Sequence, residues 1–131
     1  MRRHDWQMRL AAFAKERAAM PFEWGKNDCC LFAADAIKAM TDADPAEPLR
    51  GYTSAIAAKR LVDEAGGLRE LVSRFLGEPV SPLMAAVGDV VLLENEGRDL
   101  LGICNGTNAV GAGERGMAVL GMDLARAAWK V

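Results

Sequence analysis

The chain has 131 residues, 51% apolar and 26% charged, with 16 basic against 18 acidic side chains and a net charge of −2. That length fits one domain around one core, and the longest basic run, Arg2-Arg3, excludes an electrostatic footprint for nucleic acid. No apolar run approaches the roughly 18 residues of a membrane span, and MRRHDWQMRLAAFAKER returns to charge too soon for a signal-peptide core, so a chain made and folded in the cytosol is expected.

In chain order, Trp6, Leu10, Phe13, Ala14 and Arg17 fall on one stripe of an amphipathic helix over residues 5–19, with Asp5 as its N-cap and Pro21 as a stop signal. A second helix opens in WGKNDCCLFAADAIKAM. Asn27 or Asp28 caps its free amides, and Cys29, Phe32, Ala33, Ala36, Ile37 and Met40 recur at helical spacing. Cys29 begins that stripe. Cys30 lies about 100° further round the turn, beside Ala34 and Ile37, and needs a second packing partner to be buried. After TDADPAEPLRGY, a third helix is predicted from Ser54 to Ala65, closed by Gly66-Gly67, and a fourth from Leu68 to Leu76, ending at Gly77.

Pro79 and Pro82 mark a change of regime. Beyond them, short apolar runs separated by glycine-rich turns predict strands at about residues 89–93, 100–104, 108–110, 117–120 and 127–131. ENEGRD, NGT and GAGERG are hairpin connections, Asn105-Gly106 is a favoured tight-turn dipeptide, and residues 122–126 suit either a helical turn or a loop. Helices first and an antiparallel meander second predict an α+β fold, with the N-terminal helices packed on a C-terminal antiparallel sheet.

Three cysteines cannot pair completely and no CxxC is present, so free thiols, no metal site and no cofactor are expected. A thiol on the first turn of a helix meets unpaired amides and an aligned dipole that favour the thiolate, which suits a nucleophile. The same position also suits a small apolar residue at the head of a buried stripe. Both readings of Cys29 remain open on position alone.

The order of motifs adds a resemblance. Asp28, Cys29 and Phe32 in DCCLF, then Gly88, Asp89 and Val90 in GDVVLL, then Gly102, Ile103 and Gly106 in LLGICNG resemble the NlpC-like cysteine peptidases, a papain-like family of cell-wall endopeptidases. The similarity is closer to compact proteins of phage and prophage tail-tip gene clusters, extending to Trp24, Gly25, Arg50, Gly51, Tyr52, Gly66, Gly67 and Trp129. What this resemblance implies is a papain-like fold with Cys29 at the nucleophile position. It also implies a virion location at the tail tip, with tail-tip and hub proteins or peptidoglycan as partners.

A thiolate peptidase needs a base titrating near neutrality to take the thiol proton and return it to the leaving amine. In the resembled family that histidine opens the second strand and a polar residue on the next strand orients it. Laid on this chain, those positions fall at Leu100 and near Gly111, neither of which moves a proton. The one histidine, His4, precedes the first helix, and Asp99 is read as a hairpin-turn residue, since an unperturbed carboxylate (~4) is a poor match to a thiol (~8.5).

If position 100 faces the helix, strand alternation puts Gly102 and Cys104 on that face too, which predicts Cys104 beneath Cys29 or Cys30 in a cluster of reduced thiols. A disulfide would need Cα atoms within about 7 Å, and an iron–sulfur or zinc site a fourth ligand from another chain. Trp6, Trp24 and Trp129 suit either core and subunit contacts or an aromatic wall for glycan. Two classes of function follow: a structural tail-tip component with a degenerate catalytic set, or an active cysteine endopeptidase acting through Cys29.

Overall fold

Helical periodicity followed by strand alternation gives the architecture of the computed structural model, which describes residues 1–131. Four helices come first: α1 Trp6–Arg17, α2 Cys29–Thr41, α3 Ala55–Ala65 and α4 Leu68–Leu76. Five strands follow: β1 Val90–Asn95, β2 Arg98–Cys104, β3 Asn108–Gly113, β4 Gly116–Gly121 and β5 Ala125–Trp129. They form one antiparallel sheet of order β4-β3-β2-β1-β5. The fold is α+β, with N-terminal helices and a C-terminal sheet. No helix is long and apolar enough to cross a membrane.

Local signals explain most boundaries. Asp28 and Ser54 cap α2 and α3 by accepting from the backbone N–H groups of Leu31 and Ala57, and Gly66 closes α3 in the left-handed region. Asp5 occupies the N-cap position of α1 without a capping bond, because its carboxylate is taken by Arg9 Nε at 2.8 Å. The strands differ from the predicted ranges by up to three residues at their ends, and residues 122–124 form a 3-10 turn that leads into β5. The β1–β2 connection is the two-residue turn Glu96-Gly97 with both φ values positive (53° and 78°), the pattern that matches strand twist in tight hairpins.

The core lies between α2 and one face of the sheet. Phe32, Ala33, Ala36 and Ile37 of α2 pack with Val90, Leu92, Leu101, Ile103, Ala127 and Trp129, and Phe13 of α1 meets Phe32 edge-on with centroids 5.1 Å apart. Burying each large side chain contributes about 1.5–3 kcal/mol. The other face carries a smaller cluster of Val91, Leu93, Cys104, Ala109, Ala125 and Ala128.

That division corrects the expected strand facing. Leu101 and Ile103 point to α2, so Leu100, Gly102 and Cys104 point away from it. Cys104 is fully buried on the far side of the sheet and does not lie under Cys29 or Cys30, so the predicted thiol cluster does not form.

The tryptophans separate as well. Trp129 is completely buried with Nε1 donating to Ser73 Oγ at 3.3 Å, Trp6 lies under the Arg2 guanidinium at 4.1 Å, and Trp24 is 41% exposed against the edge of Phe22. Among the methionines near element ends, Met40 is in the core while Met20 and Met84 are exposed.

Candidate functional site

Cys29 and Cys30 occupy the first turn of α2, and Asp28 fixes that turn from below. Its carboxylate is almost wholly buried. Oδ1 accepts from Leu31 N at 2.9 Å, and Oδ2 accepts from Gly25 N at 3.0 Å and from the Tyr52 hydroxyl. Gly25 has φ +81°, and a Cβ there would stand 2.0 Å from the Tyr52 carbonyl oxygen, so only glycine lets the two segments touch. The chain ahead of α2 and the chain ahead of α3 are therefore clamped together at Asp28. Burial and the bond to Asp28 push the Tyr52 hydroxyl well above its ordinary pKa, so it acts as a donor.

A second set of contacts braces the same end. Asn27 is buried and donates from Nδ2 to the carbonyls of Met20 (3.1 Å) and Pro21 (3.0 Å), while its Oδ1 accepts from Arg17 Nη1 at 3.0 Å. Arg17 also pairs with Asp35, which accepts from Arg50 Nη2 at 2.5 Å; Arg50 in turn reaches Asp44 at 2.7 Å. Tyr52 is thus a brace of the α2 amino terminus, and Arg50 ties Asp35 in the middle of that helix to Asp44 beyond its end.

The two thiols differ. The neighbouring Cys30 thiol, as donor, pulls Cys29 below the ordinary thiol range against the opposing effect of burial, with help from the Leu101 backbone N–H. Cys29 and burial together push Cys30 up. Cys30 stands in the wall of an apolar groove between α2, the 3-10 turn at Glu47–Leu49 and α4. About 420 Å³ in extent and open to solvent, the groove is lined in part by Ala33, Ile37, Leu49, Phe75 and Leu101.

The strand position that faces α2 next to the thiols is Leu101, 3% exposed and aliphatic, whereas Leu100 and Gly111 look to the other side of the sheet. Asp99 is exposed and paired across the hairpin with Glu94. His4 is exposed, and its neighbour Arg3 donates from its backbone N to Met40 O at 2.7 Å. That anchors it beside the carboxyl end of α2, about 16 Å along the helix axis from Cys29. No imidazole meets the sulfur within the chain. The three cysteines are free, and no three His, Cys, Asp or Glu side chains come together in a metal-holding group.

The glycine–aspartate pair of the resemblance has a different part. Asp89 is completely buried and accepts from Arg2 Nη2 (3.0 Å), Lys130 Nζ (2.6 Å), Ala86 N (2.9 Å) and Val131 N (3.0 Å). Burial opposes its ionisation, but Lys130 and the Ala86 and Val131 N–H groups outweigh that and hold the carboxyl below the usual carboxylate range. Gly88, with φ +92°, leaves room for Arg2 and Met40, which a Cβ would meet at 3.0 Å. Asp89 is a clasp joining residues 2 and 130–131 to the start of β1. Reading the sequence alone missed the partners of both Asp89 and Tyr52, since Arg2, Lys130 and Tyr52 carry no local signal for them.

A family model described as Domain of unknown function (DUF6950) matches residues 1–131, the whole chain. The chain belongs to the DUF6950 family. No curated protein matches it. Chemically, this DUF6950 chain presents an acidified thiol at a helix amino terminus, a saturated carboxylate behind it and aliphatic carbon in front. A thiol lowered in this way suits attack on a soft electrophile, and a peptidase would need in addition a group that carries a proton to the amine leaving group.

Proposed function

We propose that this chain is a structural component of a phage or prophage tail tip that keeps an NlpC-like, papain-like arrangement with a degenerate catalytic set. The observation that carries the reading is Leu101: one residue on from the expected Leu100, which faces away, it is the buried β2 side chain turned to the Cys29 helix, and it is aliphatic where proton relay demands an imidazole. The braces around Asp28 support it, because every acidic or phenolic group next to the thiol is already committed to holding the fold. On this reading the partners are other tail-tip and hub proteins. The motif order in DCCLF, GDVVLL and LLGICNG supports the NlpC-like part of the reading, and the closer similarity that extends to Trp24, Gly25, Arg50, Gly51, Tyr52, Gly66, Gly67 and Trp129 supplies the link to tail-tip proteins.

The lowered pKa of Cys29 favours a second reading, an active cysteine endopeptidase cutting peptidoglycan peptides. Purified protein incubated with cell-wall fragments separates the two. No cleavage is expected, and a phage lacking the gene should lose tail-tip assembly and regain it with Cys29→Ala. Fragment cleavage that disappears in Cys29→Ala would establish the enzyme instead, and complete infectious particles without the protein would remove the structural role.

A further inference from the structure

The chain has four asparagines, and the structure treats them very differently. Asn27 is buried with its amide nitrogen bonded to two carbonyls and is followed by Asp28. Asn95 precedes Glu96, and Asn108 precedes Ala109, a buried residue in the β2–β3 ladder. Asn105 is exposed and precedes Gly106, also exposed, which has φ +99° and no Cβ to shield its nitrogen.

The Asn105 side chain is already polarised. Oδ1 accepts from Thr107 N at 3.0 Å and from Asn108 N at 2.7 Å, while Nδ2 makes no bond within the chain. The Gly106 N–H has only the weak acceptor Cys104 Sγ, at 3.4 Å.

From this geometry we infer that Asn105-Gly106 is a self-modification site that deamidates in the folded protein, independently of the tail-tip reading. Gly106 N, after losing its proton to solvent base, forms a bond to Asn105 Cγ. The carbonyl electron pair moves onto Oδ1, where two backbone donors meet the developing charge as in an oxyanion hole. The pair returns, the Cγ–Nδ2 bond breaks, and the nitrogen leaves as ammonia with a proton from water. Water then opens the five-membered imide at either carbonyl, giving aspartate or isoaspartate.

The two products differ in structural cost. Aspartate keeps an acceptor for Thr107 and Asn108 and strengthens both bonds with its charge. Isoaspartate adds a backbone carbon where β2 and β3 pair only through Ile103–Val110 and Cys104–Ala109, and loosens that hairpin.

The test is incubation of the whole folded protein at neutral and mildly alkaline pH, followed by peptide mass mapping. Asn105 should gain the mass of an amide-to-acid exchange, faster at the higher pH, in both isomeric forms, while Asn27, Asn95 and Asn108 stay unchanged. Gly106→Ala should lose the conversion, with a thermal melt confirming that it folds. Conversion at Asn105 confined to a urea-unfolded sample, or none at all, overturns the proposal. So does equal conversion at Asn108.

Discussion

Asp89→Asn is the sharpest probe of how the two ends of the described chain are held. All four partners of the carboxylate are donors, two of them cationic, and the side chain is 1% exposed. Asparagine offers one acceptor oxygen and turns an NH2 group toward donors, leaving Arg2 and Lys130 without a counter-charge. Breaking a buried pair from one side costs about 3–5 kcal/mol, and Lys130, 51% exposed, recovers part of that by hydration. A loss of about 3 kcal/mol at neutral pH is therefore expected, a fall of roughly 12 °C in Tm for a chain of this size.

The pH dependence carries the sign. Because the folded carboxyl titrates below its unfolded value of ~3.9, its stabilisation is fully present above that value and disappears as pH falls through the folded pKa. Urea unfolding of both proteins from pH 7 down to strongly acid conditions should show two curves that converge below about pH 4. A neutral-pH difference under about 1 kcal/mol, or one that persists unchanged into acid, would refute the clasp.

The face of α2 can be tested by contrast: Phe32→Ala should cost about 3–5 kcal/mol in urea unfolding, whereas Cys29→Ser should stay within about 1 kcal/mol, and equal tolerance of both would reject the packing. Gly25→Ala must move backbone rather than a flexible side-chain end, so a loss above about 2 kcal/mol and a weakened Asp28–Tyr52 bond are expected. A melting temperature equal to wild type would show that the two segments do not meet as described.

Much of the molecule follows from residues close together in the chain. The α2 stripe from Phe32 to Met40, the Asp28 and Ser54 caps, the Gly66 stop and the tight turns are each encoded within a few residues, because helical periodicity and capping are local chemistry. The α+β order and the position of Cys29 at a helix amino terminus were legible for the same reason. Tertiary structure alone decided which side of β2 meets α2. Strand alternation offers two equivalent choices, and only pairing and packing put Leu101 on the helix side and sent Cys104 to the other. It likewise decided that Asp89 joins Arg2 to Lys130 and that Tyr52 reaches Asp28. The charge or donor strength of a side chain is written in the sequence, but its partner is chosen by the fold that brings distant residues within bonding distance.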